Sequence, residues 1–289
     1  MEAPGRAGSV FLLTDYGDAD GFAGVLRAVL ARLAPGVTTV DLTHGIPPFD
    51  VRAGALALAR AVPHLGPGVV LAVVDPGVGT ARRALAVAVA VGGPGSGSGT
   101  GTGPRFLVGP DNGLLLPALD LLGGPRAAVD LGPGPAADPA DPADPGPVTF
   151  AGRDVFAPAA AGLWSGVPLD ALGPPLEPSS LVRLPPPHLV RSGGTLEAEV
   201  IWIDRFGNLQ LAGGAPDADA VGLDGALVVL ASGRTLPARR VRAFGLLDSR
   251  ELGLLLDADG HLSLVYDRRP AATVLGVYVA DIVILGSRT

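Results

Sequence analysis

The first half of the chain alternates between short apolar runs and segments with helical periodicity. Residues 9–14 form an apolar run typical of a buried parallel strand. The apolar positions that follow recur at helical spacing: Phe22, Val25, Leu26, Val29, Leu30 and Leu33. Asp20 is a suitable N-cap for this predicted helix, and Pro35-Gly36 ends it.

The same alternation continues to about residue 110. It predicts strands at 37–42, 69–74, 85–91 and 106–108, and a helix at 51–62. Strands that alternate with helices favour a parallel sheet covered by helices. The first half is therefore predicted to be an α/β domain with a mainly parallel sheet.

The second half has a different pattern, with short strand-like runs separated by turn residues. They lie at 195–203, 226–231, 240–244, 252–256, 262–266 and 281–285. This spacing is typical of a small all-β barrel or sandwich. The predicted organisation is an N-terminal α/β domain at 1–183, a proline-rich linker at 184–194 and a C-terminal β-barrel domain at 195–289. Two low-complexity segments, 92–104 and 136–147, are predicted to be loop insertions.

Composition narrows the classes of function. The 289 residues include no cysteine and no lysine, which excludes thiolate chemistry, disulfides and lysine Schiff bases. The formal charge of −7 and the lack of a basic stretch argue against nucleic acid as a partner. Four scattered histidines give no zinc-like spacing. No apolar run is long enough for a membrane span, and the N-terminus lacks the features of a secretory signal, so a cytoplasmic location is expected.

Polar and aromatic residues follow three of the predicted parallel strands, where α/β proteins bind ligands. Asp15 could accept hydrogen bonds from a ribose diol or simply lie in a turn. Asp75 ends another strand, and Arg82 could fold back onto it or remain solvated. His44 is a possible base but is more typical of a structural hydrogen-bond donor. Phe49 could face a purine or a sulfonium cation, or pack in the core.

Asp204 and Asn208 frame a tight turn in the second half of the chain. Asparagine offers a donor and an acceptor, which would suit an adenine edge. A hairpin turn stabilised by Asp and Asn is the simpler interpretation.

Together these segments resemble the S-adenosylmethionine hydroxide adenosyltransferases, the hydrolase relatives of fluorinase and chlorinase. The resemblance is carried by FLLTDYGDADGFAGVLRAVL, VDLTHGIPPFDVRAGALAL, VVDPGVGTARRALAV, FLVGPDNGLL, TFAGRDVFAPAAAGLWSGVPLDALGPPL and IWIDRFGNLQ, in this order. It implies an α/β domain, a C-terminal β-barrel and hydrolysis of S-adenosyl-L-methionine to adenosine and L-methionine. It also implies that no metal or organic cofactor is needed. The expected assembly is a homotrimer whose active sites lie between neighbouring subunits.

The resemblance also implies roles for individual residues. Asp75 and Arg82 correspond to two members of the triad that orients the attacking water. The substrate-binding positions are Asp15 at the ribose, Asp20 and Phe22 at the methionine end, Phe49 and Phe150 as aromatic walls, Asp204 at the methionine amino group and Asn208 at the adenine. Halide-using relatives have tyrosine at the position of Asp75, so a carboxylate there favours water over halide.

Two features depart from the pattern. The segment 257–261 lacks the serine expected near the methionine carboxylate, and one position changes in the predicted reaction site. The hydrolases usually carry histidine in the segment TFHGRD, and here that position is Ala151. The loss suggests a slower enzyme or, alternatively, a protein that binds S-adenosylmethionine or adenosine without turnover. A third alternative is halide transfer, which Asp75 disfavours. A methyltransferase would need a glycine-rich turn after the first strand, and Gly17 and Gly21 are too sparse for one.

Overall fold

The computed structural model describes residues 8–89, 105–133 and 149–287, so both predicted low-complexity loops lie outside the described residues. Contacts divide the chain into two units, 1–184 and 185–289. Among the described residues, no helix has the length and apolar character needed to cross a membrane.

The first unit is an α/β domain. Its elements are β1 (Ser9–Thr14), α1 (Phe22–Leu33), β2 (Thr38–Thr43), α2 (Val51–Ala61), β3 (Gly68–Val73), β4 (Ala84–Val89), β5 (Phe106–Pro110), α3 (Leu116–Leu121), β6 (Pro125–Asp130), α4 (Ala157–Trp164) and β7 (Pro175–Leu176). Short 3-10 turns lie at Val62–His64, Leu169–Ala171 and Pro178–Ser180, and a π-helical turn at Gly152–Phe156 leads into α4.

The sheet of this unit has the strand order β2-β1-β3-β5-β4-β6-β7. Strands β2, β1, β3 and β5 are parallel, whereas β4, β6 and β7 join by antiparallel pairing. Strand β3 lies at the centre of the parallel part, and all of its residues are buried. Each apolar side chain buried in this way stabilises the fold by about 1.5–3 kcal/mol. The predicted mainly parallel α/β domain is confirmed.

The start of α1 differs from the sequence prediction. Gly21, not Asp20, occupies the N-cap position, with φ of 74° and no side-chain cap. Glycine adopts this left-handed conformation without strain, so Gly21 can precede the first helical residue, Phe22. Asp20 lies outside the helix and is exposed. The buried face of α1 is Ala23, Leu26 and Leu30, and Val29 packs partly buried against the same core. The other apolar positions of the predicted periodicity, Phe22, Val25 and Leu33, are exposed.

The second unit is built from β-strands. Its elements are β8 (Leu189–Ser192), β9 (Thr195–Ile203), β10 (Leu209–Gly214), α5 (Ala215–Ala220), β11 (Ala226–Ala231), β12 (Arg234–Arg240), β13 (Leu252–Leu256), β14 (His261–Tyr266), α6 (Ala271–Leu275) and β15 (Ile282–Ser287), with a 3-10 turn at Phe244–Leu246. The strand order is β10-β14-β13-β12-β11-β15-β9-β8, and β10 also pairs with β9. That pairing closes strands β9 to β15 into a barrel, as predicted.

Two details of the second unit depart from the sequence prediction. The segment 184–194, expected to be a linker, contains β8, which pairs with β9. The strand predicted at 240–244 is wrong, because β12 ends at Arg240 and Phe244 begins a 3-10 turn. Ser232 and Gly233 both have positive φ, so the chain turns back directly after β11 and β12 starts earlier than expected.

Candidate active site

The candidate site lies at the carboxyl ends of β1, β2 and β3. These three strands are adjacent and parallel, so the residues that follow them meet at one edge of the sheet. A cavity of about 270 Å³ opens there. Its lining includes Asp15, Tyr16, Asp20, Phe22, Pro48, Phe49, Val73, Asp75, Val78, Thr149, Phe150, Ala151 and Gly152.

Asp75 is held by Arg82 in a bidentate ion pair. Arg82 Nε donates to Asp75 Oδ1 at 3.0 Å and Nη2 donates to Oδ2 at 2.5 Å. The two side chains are only 11% and 6% exposed, for Arg82 and Asp75 respectively. Arg82 is itself fixed by the carbonyl of Arg83 at 3.0 Å and by the face of Phe156, 5.4 Å from the ring centroid. The sequence left open whether Arg82 pairs with Asp75 or remains solvated, and the structure shows that it folds back and pairs with Asp75.

Burial controls the protonation of Asp75. Desolvation raises the pKa of its carboxyl above the ordinary value, while Arg82 and a backbone hydrogen bond from Gly77 oppose the rise. The negative charge of Asp15 raises it further. Asp75 is therefore a stronger base than an exposed aspartate, and it faces the cavity.

Asp15 fixes the loop that carries Phe49. Its Oδ2 accepts a hydrogen bond from the Phe49 amide at 2.9 Å. Phe49 has φ of 68°, an uncommon conformation for a bulky residue that this contact helps to hold. Its ring is 71% exposed at the edge of the cavity, which excludes the core-packing interpretation. Asp50 then caps α2 through the Ala53 amide at 2.9 Å.

An aromatic cluster forms one wall of the cavity. The rings of Tyr16, Phe22 and Phe150 lie 5.1–5.7 Å apart, centroid to centroid, in tilted or edge-on arrangements. Sequence reasoning named Phe22 and Phe150 but missed Tyr16. The signal for Tyr16 was its position directly after Asp15, at the end of the same buried strand.

Ala151 adjoins two cavities. Besides the cavity described above, it borders a second cavity of about 310 Å³, which Thr80, Arg82 and Val155 also line. Ala151 is 3% exposed and begins the turn that leads into the π-helical residues. Only its methyl group faces this region, although there is room beside it for a larger side chain.

His44 does not line the cavity. It is buried, with Nδ1 2.8 Å from Thr14 Oγ1 and Nε2 3.1 Å from Asp41 Oδ1. The Nε2 contact is within ion-pair distance but does not meet the geometry of a hydrogen bond. His44 therefore ties the ends of β1 and β2 together, which is the structural alternative considered above.

Asp204 and Asn208 belong to the second unit, in the turn between β9 and β10. Asp204 Oδ1 accepts from the amides of Phe206 and Asn208 at 2.8 and 2.9 Å, and its Oδ2 accepts from Asn208 Nδ2 at 2.7 Å. This is the hairpin-turn interpretation in atomic detail. Asn208 Oδ1 is not used in these contacts and remains an acceptor.

Comparison with known proteins gives a consistent family. The model described as the SAM hydroxide adenosyltransferase N-terminal domain matches residues 10–173, and the corresponding C-terminal domain model matches residues 198–284. The chain is 46% identical to a protein of Salinispora tropica named (R)-S-adenosyl-L-methionine hydrolase, over 93% of this chain and 94% of the relative. A protein of Thermus thermophilus with the same name is 42% identical, over 93% and 95%.

A solved structure of an uncharacterised conserved protein from Thermotoga maritima superposes with a TM-score of 0.79 at 29% identity, covering 96% of this chain and all of that one. The two family models together cover both units. The cavity described above lies within the region that the N-terminal domain model matches. The chain therefore belongs to the SAM hydroxide adenosyltransferase family.

Proposed function

We propose that this protein hydrolyses (R)-S-adenosyl-L-methionine to adenosine and L-methionine, by attack of an oriented water on the ribose C5′ carbon. The observation that carries the proposal is the buried Asp75 carboxylate, fixed by Arg82 and facing a cavity lined by carboxylates and aromatic rings. The names of the Salinispora and Thermus relatives supply the substrate and its sulfonium configuration.

The electrostatics of the cavity suit a cationic substrate. Asp15, Asp20 and Asp75 line it, and the charge of Arg82 is paired with Asp75. A sulfonium is attracted to this negative potential and to aromatic faces. Asp15 would hold the ribose hydroxyls, Asp20 and Phe22 the methionine end, and Phe49 and Phe150 would enclose the substrate near the reacting carbon.

The reaction is a single substitution. A water oxygen forms a bond to C5′ while the C5′–S bond breaks, and the sulfonium sulfur takes the electron pair to become the neutral thioether of methionine. The leaving group needs no proton, so no general acid is required. The water loses one proton to Asp75, which passes it to solvent. Orientation of this water is the main task of the site, since positioning can contribute several kcal/mol, about 7 in favourable cases.

The acidity of Asp75 predicts the pH dependence. The carboxyl must be ionised to accept a proton, so the rate should fall as pH drops through its pKa. Because burial raises that pKa, the acidic limb should lie above the ordinary aspartate value of about 3.9. The measurement is kcat against pH between 4 and 9, in steps of about half a unit across the expected limb. A rate that stays flat down to about pH 4 would contradict the assignment of Asp75.

Asp15→Asn should weaken substrate binding. An asparagine offers one acceptor oxygen in place of the two of the carboxylate, and the negative charge is lost. The expected rise in KM is about 10- to 100-fold, with a smaller change in kcat. A substrate analogue without the 2′-hydroxyl provides the control, because the wild-type protein should discriminate against it more strongly than the variant does. Equal discrimination by both proteins would remove Asp15 from the ribose.

The proposed function is tested by chromatography of the purified protein incubated with each sulfonium epimer of S-adenosyl-L-methionine, with and without chloride. The expected result is equal amounts of adenosine and methionine, formed from the (R) epimer independently of chloride. In ¹⁸O-labelled water the adenosine should carry one ¹⁸O, because the new bond is to C5′. Unlabelled adenosine would refute attack at that carbon.

Two other outcomes would identify the alternatives. Formation of a chlorinated nucleoside would mean halide transfer, which the carboxylate of Asp75 opposes. Intact substrate after long incubation, with binding shown by calorimetry, would mean that the protein binds the ligand without turnover.

The oligomeric state determines whether residues of the second unit can reach the cavity of the first unit of another subunit. Following the family resemblance, we propose a cytoplasmic homotrimer in which Asp204 and Asn208 of a neighbouring subunit complete each cavity, at the methionine amino group and the adenine. Apolar side chains left exposed on α1, Val25 and Leu33, support an association of subunits. Light scattering coupled to size-exclusion chromatography measures the oligomeric state directly.

A further inference from the structure

The hydroxyl of Tyr16 occupies a constrained position in the cavity wall. Its ring is packed between Phe22 and Phe150, with centroid distances of 5.7 and 5.6 Å. The hydroxyl oxygen lies against the backbone of Gly152, where an added Cβ would sit 2.3 Å from it. Gly152 is helical and has no positive φ, so glycine is needed there for space and not for backbone conformation.

Within the part of the chain that the structure describes, the hydroxyl of Tyr16 makes no hydrogen bond. Among the described residues, the only hydrogen bond of Tyr16 beyond the sheet is through its main chain, whose amide donates to Thr14 Oγ1 at 3.2 Å. Burial raises the pKa of the phenol, and the negative charges of Asp15 and Asp75 raise it further, so the group stays neutral. Tyr16 is partly buried, and a hydroxyl in such a position favours a hydrogen-bond partner. Its place in the cavity lining makes water or substrate the natural partner.

Its neighbours indicate which partner this is. Tyr16 follows Asp15 in the chain, and its hydroxyl abuts Gly152, the residue after Ala151. Asp75 and Ala151 line the same cavity. A water that attacks carbon through one lone pair has two protons to place. Asp75 can accept one of them, and the methyl group of Ala151 can accept none.

We propose that Tyr16 is a further residue of the reaction site, whose neutral hydroxyl accepts a hydrogen bond from the attacking water while Asp75 takes the proton that is transferred. This inference rests on the proposed hydrolysis. Tyr16 keeps its own proton throughout, so the proton balance of the reaction is unchanged. The residue supplies a polar contact on the wall where Ala151 offers none.

Tyr16→Phe tests the proposal because it removes one oxygen and keeps the aromatic packing. The expected result is a fall in kcat of about 5- to 30-fold, the effect of one lost hydrogen bond, with KM for S-adenosyl-L-methionine unchanged. The matched control is Tyr266→Phe, a buried tyrosine in the barrel, which should keep the wild-type kcat. If Tyr16 only stabilised the structure, Tyr16→Phe would change KM or the melting temperature and not kcat alone.

Gly152→Ala provides a second variant that displaces the hydroxyl without removing it, and it should also lower kcat.

Adding a polar group beside the same water should compensate for the loss of the Tyr16 hydroxyl. Ala151→His should therefore raise kcat more in the Tyr16→Phe background than in the wild-type protein. Wild-type kcat in Tyr16→Phe, or equal gains in both backgrounds, would overturn the role of Tyr16 while leaving the hydrolysis intact. A wild-type protein that releases no adenosine would overturn both.

Discussion

Replacing Asp75 with asparagine is expected to lower kcat for adenosine formation by about two to four orders of magnitude, the usual contribution of a positioned base. The asparagine has the same shape and still offers Arg82 one acceptor oxygen, but it cannot take a proton from water. Substrate binding should be retained, since Asp15 and the aromatic wall are unchanged. Steady-state kinetics with chromatographic detection of adenosine measures the effect, and calorimetry checks binding.

The matched control is Asp41→Asn. Asp41 also forms a bidentate pair with an arginine, Arg27, at 3.1 and 2.6 Å, but both side chains are 39% exposed and neither lines the cavity. An exposed pair of this kind contributes at most about 1 kcal/mol to stability. The control should therefore hydrolyse substrate at close to the wild-type rate.

Stability must be separated from catalysis in this experiment. Removing one partner of a buried ion pair can cost about 3–5 kcal/mol, and Asp75→Ala would leave Arg82 without a charged partner. Asparagine limits this cost, so a folded, substrate-binding but inactive Asp75→Asn protein would assign the loss to chemistry. If the folded variant keeps the wild-type rate, Asp75 is not the base and the proposed mechanism fails.

Ala151→His is expected to raise kcat by about 5- to 150-fold in the Tyr16→Phe background, where one proton of the water lacks an acceptor, and by less in the wild-type protein. The imidazole would add a hydrogen-bonding group where only a methyl now faces Asp75, and the second cavity of about 310 Å³ beside Ala151 gives it room. It would also restore the residue that the family resemblance predicts at this position. The gain should weaken below about pH 6.5, where the imidazole becomes protonated and can no longer accept a hydrogen bond.

Ala151→Leu serves as the control for this substitution. Leucine fills a similar volume without hydrogen-bonding capacity, so it should give no gain in kcat. A similar increase in both variants would show that filling space, not adding a polar group, changes the rate. No increase in either background in a correctly folded histidine variant would mean that the imidazole does not reach the attacking water.

The sequence by itself determined the fold class and much of the candidate site. The alternation of strands and helices depends on local periodicity, so the α/β domain was predictable, as were the polar residues at three strand ends. Local patterns were less reliable where one residue decides the backbone. The N-cap of α1 is Gly21 and not the predicted Asp20. The turn at Ser232-Gly233 makes β12 begin earlier than predicted.

Only the tertiary structure decided which side chains act together. Asp15 and Asp75 are distant in sequence and come together because β1 and β3 are parallel neighbours. Whether Arg82 pairs with Asp75, and whether His44 faces a ligand or the core, depends on side-chain directions that spacing does not encode. Tyr16 shows the limit most clearly, since its hydroxyl matters only because Gly152, far along the chain, leaves space for it.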